Sequence, residues 1–385
     1  MTNDNINVRN MDAQQLFNEL SAINKRRVDL VVSSDAIKAE FGSLKVSGTD
    51  AVITEEGVTT KDGDFEPTVD FDLHLADRLG IPRTYMRKIR EDRPDLYDAN
   101  VNGWLHGCQT DGCYGHDAIN KRFYLRALEP EVAGDPRTAR ALFSSAYRRI
   151  DNLDVLVASL DGINQSGATV TLKSADLSDR RMVAKFIAPE ITAVAQELLA
   201  GYRDPRSYRS AGDDPIVSAG FRVVNSETGF GAATVTPEIT VQVCNNGMTL
   251  THLAERSIHV GKRQEIGVVD LSDEALAAEL ELIKVNVKDT VAAILRPEWL
   301  SEQISNLTEK ASKPVSDPGH VVERVGKELG FSEEVAEGVL ADFIGGGQLT
   351  AGGVMNAITS YSQTVESTDL AHELETKAVA AMSLV

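Results

Sequence analysis

Long apolar runs, cysteine and aromatic residues are all scarce in this chain of 385 residues. No uninterrupted apolar stretch approaches the ~20 residues needed to cross a bilayer. The opening MTNDNINVRN is polar and lacks the apolar centre of a secretory signal. A cytoplasmic protein with no membrane partner is therefore expected. Cys108, Cys113 and Cys244 are the only cysteines, an odd and sparse set that fits a reducing compartment better than a disulfide framework. Aromatics make up 5% of the chain, which argues against a large aromatic-lined substrate cavity.

Catalytic signatures are missing too. There is no Gly-x-Ser-x-Gly elbow, no Walker sequence and no His-Glu-x-x-His helix. Gly345-Gly346-Gly347 lacks the Gly-Lys-Ser/Thr ending of a phosphate loop, and NSETGFGA carries Gly229 and Gly231 without the third spaced glycine of a dinucleotide loop. Cys244 has His252 and His259 downstream but ends the apolar run ITVQV, which reads as a buried thiol rather than an exposed nucleophile. The acidic residues are dispersed as on solvated helices, not clustered to hold magnesium. No catalytic residue is assigned, and a non-enzymatic role is expected.

The formal net charge is −19. Taken alone it opposes polyanion binding. Its distribution is uneven. Residues 118–263 carry 18 Lys+Arg and 16 Asp+Glu, whereas the flanks carry 21 and 42. Exposed charges are screened beyond roughly 10 Å at ordinary salt, so a local basic surface in the middle is compatible with acidic flanks.

The length suits two or three domains. AQQLFNELSAINKR has helical spacing, and RVDLVVSS, SLKVSG and DAVITEEGVTTKDGDFEPTVDF read as strands, with Asp62-Gly63 as a tight turn. DLHLADRLG and IPRTYMRKIRED read as two helices separated by Gly80 and restarted at Pro82. The middle is rich in short β-branched and aromatic runs; Asp151 to Leu160 reads as a helix, and PRSYRSAGDDP as a flexible loop. From Ser272 onward the pattern is helical, with Ser332, Thr350 and Thr368 as caps. The expected class is α+β: a mixed N-terminal region over 1–117, a central antiparallel sheet with basic loops over 118–270, and a helical part over 271–385.

LADRLGIPRTYMRKI with ANVNGWL, FSSAYRRIDNLDVL, SADLSDRRMVAKF, GFRVVNSETGFGAATVTPEITVQVCNNGMTL, IHVGKR and GGGQLTAGGVMNAIT occur in that order. Together they resemble a phage- and plasmid-borne family known mainly as a domain of unknown function. The resemblance covers roughly four-fifths of the chain, implies a mobile-element setting and supplies no catalytic residues. HGCQTDGCYGHD departs from the family pattern, where a shorter basic connection is expected.

Three constellations carry chemistry. Ala76–Ile89 has the outline of a helix-turn-helix, with Arg83, Arg87, Lys88 and Arg90 on one side and Tyr85, Met86 and Ile89 expected inward. Glu91, Asp92, Asp95 and Asp98 follow at once, so a packed helical hairpin is the default reading. His106, Cys108, Cys113 and His116 have ligand types for tetrahedral zinc, but their spacing is not that of a usual finger. A structural zinc and an irregular loop with free thiols both remain open. Finally, Lys121, Arg122 and Tyr124, Tyr147, Arg148 and Arg149, Arg180 and Arg181, Arg222, and Lys262 and Arg263 mix cations with aromatic rings, as single-stranded nucleic acid requires. The default reading is that Phe123, Tyr147 and half the arginines are core or paired with Asp151, Asp154, Asp176 and Asp179. The expected function is single-stranded DNA binding in replication or recombination, with strand annealing included, by a homo-oligomer. The alternative is a mobile-element module that binds host proteins through its acidic flanks.

Overall fold

Asp12 and Gln15 start the first helix by exchanging side-chain-to-backbone hydrogen bonds of 2.8 and 3.0 Å, which satisfies two N–H groups that a helix end leaves bare. In the computed structural model, residues 6–54, 57–107, 119–145, 147, 149–211, 215–241, 247–250, 255–257 and 273–385 are described. In chain order the elements are β1 (Asn7–Met11), α1 (Ala13–Arg26), β2 (Arg27–Ser33), β3 (Ile37–Glu40), β4 (Ser43–Val46), β5 (Val52–Thr54), β6 (Gly57–Thr59), β7 (Gly63–Pro67), α2 (Val69–Leu79), α3 (Arg83–Asp92) and α4 (Pro94–His106). Then come β8 (Arg122–Leu128), β9 (Arg137–Ser144), α5 (Asn152–Ser166), β10 (Thr171–Ser178), β11 (Met182–Val194), β12 (Ile216–Asn225), β13 (Ala233–Val241), β14 (Gly247–Thr249) and β15 (Glu255–Ser257). The chain ends in α6 (Asp273–Ile294), α7 (Pro297–Ala311), α8 (Pro318–Leu329), α9 (Glu333–Gly346), α10 (Ala351–Tyr361) and α11 (Thr368–Ala381).

The fold is α+β with two main sheets and two cores. The larger sheet runs β1-β10-β11-β12-β13-β14, with β15 also on β13, and every pairing in it is antiparallel. Strand alternation puts Phe221 and Val223 of β12 on one face and Arg222 on the other. On the first face Val223 and Val235 meet Val155 of α5 and Ile283 of α6. On the second face Arg222 meets Glu375 of α11.

The smaller sheet runs β2-β8-β9-β7-β4-β3, with β7 and β9 parallel and the rest antiparallel. Val28, Leu30, Val32, Phe123 and Leu125 turn to α2, α3 and α4, where they pack with Phe71, Leu75, Met86, Tyr97 and Val101. Burying each such side chain is worth about 1.5–3 kcal/mol. The opposite face carries Asp29, Tyr124 and Arg126.

Strand membership crosses the three-segment division of the sequence. β1 joins the larger sheet at β10, while β8 and β9 join the N-terminal strands. Strand pairing follows register between distant segments, which local composition does not encode.

Three local readings need correction. Asp62-Gly63 is not a hairpin turn: β7 pairs with β4 and β9, and the Asp62 carboxylate accepts the N–H groups of Gly48 and Thr49 at 3.1 and 2.8 Å. Tyr85 is 43% exposed, because Met86 and Ile89 alone form the buried stripe of α3. Thr368 is the first helical residue of α11, and Ser367 supplies the cap. The helical hairpin itself stands. Gly80 ends α2 at φ 69°, and Arg83 and Arg87 face Asp77 and Glu91.

Candidate nucleic-acid interface

The outer face of the smaller sheet meets one end of the larger sheet, and the sequence-predicted residues divide at this junction. β8 runs antiparallel to β9 with Phe123 opposite Ser144 and Tyr124 opposite Phe143. That register brings Lys121, Arg122 and Tyr124 beside the segment holding Tyr147 and Arg149. Lys121 and Arg122 are exposed, and neither side chain forms an ion pair with a described residue. The Tyr147 ring lies on Phe143 with centroids 3.7 Å apart and 6° between planes. Tyr124 is 6.2 Å from Phe143 on the same face. Arg149, with 42% of its side chain exposed, donates to Asp29 at 2.8 Å. The partly exposed rings of Tyr124 and Tyr147 thus form a short strip over the buried Phe143, edged by Arg122 and Arg149, and alternation turns the exposed Lys121 to the Phe123 side.

Below the strip lies a network of buried charge. Arg126, 1% exposed, donates to Asp29 at 3.0 and 3.2 Å and to Asp151 at 2.6 Å. Arg27 binds the second oxygen of Asp151. Arg140 donates to Glu227 at 3.4 Å and to the Asp179 carbonyl at 3.1 Å. Glu227 in turn accepts the Asn152 N–H at the start of α5 at 2.8 Å, where a helix end favours negative charge.

Burial opposes ionisation of Asp29, but the hydrogen bond and charge of Arg126 outweigh it and hold the carboxyl below its usual range. Burial wins at Asp179, pushing it up to about 6 although Arg140 is close. Burial likewise pushes the Tyr124 hydroxyl up to about 12 and raises Tyr147. Neither phenol ionises near neutrality, so neither serves as a base.

An aromatic column extends from the strip toward the larger sheet. His74 lies 5.2 Å from both Phe143 and Phe230, and its Nδ1 accepts the Leu142 N–H at 3.3 Å. An accepting nitrogen carries no proton, in keeping with burial lowering His74 to about 4. Gly229 approaches this column at φ 79°, and a Cβ there would sit 2.7 Å from Phe143 Cε1. Arg180 covers Phe230 at 4.7 Å and grips Asp70 through bonds of 2.7–3.0 Å.

The other sequence-predicted cations go elsewhere. Arg222 is 1% exposed and donates to Glu238 at 2.6 Å and Glu375 at 2.9 Å, beneath α11. It cannot reach a phosphate while α11 is docked, so its placement in an interface is corrected to a structural role. Arg181 pairs with Asp369 of α11 at 2.8 Å. Arg148, Lys262 and Arg263 lie outside the described residues. So do Cys108, Cys113 and His116 of the zinc reading, and His106 closes α4 at their border. Cys244, His252 and His259 are also outside them. Among the described residues no group of three or more His, Cys, Asp or Glu is arranged to hold a metal, and no helix is long and apolar enough to cross a membrane.

No family model, curated protein or solved structure matches the chain.

Sequence reasoning missed Asp29, Arg126 and Arg140. A charged residue inside an apolar strand, as in RFYLRAL, was the available signal, because such a residue needs a buried partner. It also missed an open cleft of about 900 Å³ near β4 and β7. Glu40, Asp62, Asp64, Glu129 and Asp135 outnumber Lys45 and Arg137 there, and this charge balance repels a phosphate backbone.

Proposed function

We propose that the protein binds single-stranded nucleic acid and acts without nucleotide hydrolysis, in strand handling such as annealing. One observation carries this reading: the half-buried rings of Tyr124 and Tyr147, stacked about the buried Phe143, lie on the face that also carries the exposed Arg122, with Lys121 exposed next to it in the chain and Arg149 beyond, on Asp29. Rings that accept bases and cations that track phosphates are the two requirements for an unpaired strand. The surface is smaller than the sequence alone suggested, because Arg181 and Arg222 are used to hold α11. The resemblance to mobile-element proteins is compatible with this role.

Fluorescence anisotropy of a labelled single-stranded oligonucleotide tests the proposal. Binding that weakens in Lys121→Ala/Arg122→Ala, two exposed positions whose loss leaves no buried charge unpaired, supports it. Absence of binding by the wild-type protein at low salt overturns it.

The acidic cleft favours a second reading, a module that docks a basic protein partner. In that case Glu40→Gln and Asp64→Asn would weaken capture of a basic polypeptide such as polylysine, and oligonucleotides would not bind.

A further inference from the structure

Beyond β11 the chain enters the larger core at Tyr202 and again at Ala211, and the stretch between them folds back on itself. Ala211 N–H donates to the Tyr202 carbonyl at 2.9 Å, Asp204 N–H to Arg209 at 3.0 Å and Tyr208 N–H to Asp204 at 2.8 Å. The Asp204 carboxylate, 6% exposed, accepts the N–H groups of Ser207 and Arg206 at 3.1 and 3.4 Å. This is the side-chain turn that Asp commonly makes. Arg203 N–H donates to Gly346 at 2.9 Å, and Arg206 Nη1 donates to the Ser360 carbonyl at 2.9 Å. The stretch read from sequence as a flexible loop is thus a pinned hairpin over its described part.

Pinning has a consequence for charge. The one carboxylate of the hairpin is turned inward, and its arginines point out. Arg203 and Arg209 are exposed, with no described acid paired to either side chain; Arg206 leans on Asp342 at 3.4 Å. Tyr208 is 80% exposed and has φ 56°, the left-handed region that side-chain-bearing residues avoid. Packing does not account for a large ring held in solvent on an unfavourable backbone. Such an outlier is a reason to look for a ligand.

We propose that this hairpin is a second contact for single-stranded nucleic acid, in which Tyr208 stacks on a base and Arg203 and Arg209 meet neighbouring phosphates. The inference rests on the reading of the protein as a strand binder and adds a site that the reading does not contain. Within residues 202–211 the exposed charged residues, Arg203, Arg206 and Arg209, are all positive on a chain of net charge −19, and such a turn favours anions. The exposed ring adds the π-face that a lone phosphate would not need. The β8 strip belongs to the smaller sheet, and the hairpin packs on the larger core through Tyr202 and Ala211. Two separate contacts on one chain are what bringing two strands together requires.

The test uses the full chain and a labelled single-stranded oligonucleotide across a salt series. Arg203→Ala/Arg209→Ala makes the plot of log affinity against log salt shallower by roughly 1.4, since each phosphate contact on a single strand contributes about 0.7. Tyr208→Ala lowers affinity about five- to hundredfold, and Tyr208→Phe retains it, because stacking needs the ring and not the hydroxyl. Tyr208→Gly relieves the backbone, so it melts no lower than wild type and still loses affinity, which separates binding from folding. If the hairpin variants bind like wild type while Lys121→Ala/Arg122→Ala binds weakly, this inference fails and the proposed function stands. If the wild-type protein binds no oligonucleotide, both fail. A change of oligomeric mass in Tyr208→Ala with unchanged oligonucleotide affinity overturns the inference in favour of a subunit contact.

Discussion

Arg222 on β12 donates to Glu375 on α11 at 2.9 Å across 153 positions of chain, and both side chains are buried. Lys185 donates to the other Glu375 oxygen at 2.8 Å and lies 3.4 Å from Asp176. The last long helix is therefore fastened to the larger sheet by charge as well as by Leu374 and Ala378. Removing one member of such a group leaves the others buried and uncompensated, so Glu375→Ala costs about 3–5 kcal/mol. Urea unfolding monitored by circular dichroism measures the loss. Arg222→Ala destabilises in the same way, and its folded fraction binds oligonucleotide as wild type does.

Acid separates two kinds of buried carboxyl. Burial raises the pKa of Glu375, but Lys185 and Arg222 outweigh it and hold the group far below the usual range. Its contribution to stability is present above the ordinary carboxylate pKa and is lost as pH falls toward the depressed value. Asp72 behaves oppositely. Burial pushes it up to about 6 despite the Arg90 charge and the Tyr97 hydrogen bond. The folded protein therefore takes up a proton at Asp72 before the unfolded chain does, and stability from this group grows as pH falls from above 6 toward 4. Asp72→Asn removes that increment. The stability difference between wild type and Asp72→Asn, from urea midpoints, widens in favour of wild type on acidification from pH 7 to pH 4. A difference independent of pH contradicts the assignment.

The glycines of NSETGFGA have separate roles. Gly229 has φ 79° and faces Phe143, which is itself held between Tyr147 and His74. A methyl group there meets a ring that cannot retreat. Gly229→Ala costs about 1–3 kcal/mol from overpacking, with roughly 1–2 kcal/mol more for the left-handed backbone. At Gly231 the nearest atom to an added Cβ is 3.9 Å away, so Gly231→Ala stays close to wild type. Thermal melts of the two variants side by side check the contrast.

The sequence showed local structure better than long-range placement. Ser332, Thr350, Gly80 and the helix after Asp151 were legible because caps and apolar periodicity act within a turn or two of chain. The parallel pairing of β7 with β9 and the pairing of β1 with β10 were not legible, since register is set by segments tens to hundreds of residues apart. The candidate site divided in the same way. Tyr124, Tyr147 and Arg149 converge because they flank one antiparallel strand pair. Arg222 reads identically in sequence, but its fate is decided by Glu375 on a distant helix. Asp204 shows the reverse error: the polar stretch PRSYRSAGDDP suggested flexibility, and the side chain of Asp204 just before it instead ties the turn together.

Measuring oligonucleotide affinity of the full-length wild-type protein as a function of salt tests the central claim most directly. The two exposed cations with no described acid partner, Lys121 and Arg122, give a plot of log affinity against log salt with a slope of roughly −1.4, steeper if Arg149 or the hairpin also engages. An affinity independent of salt, or no binding at low salt, contradicts the account.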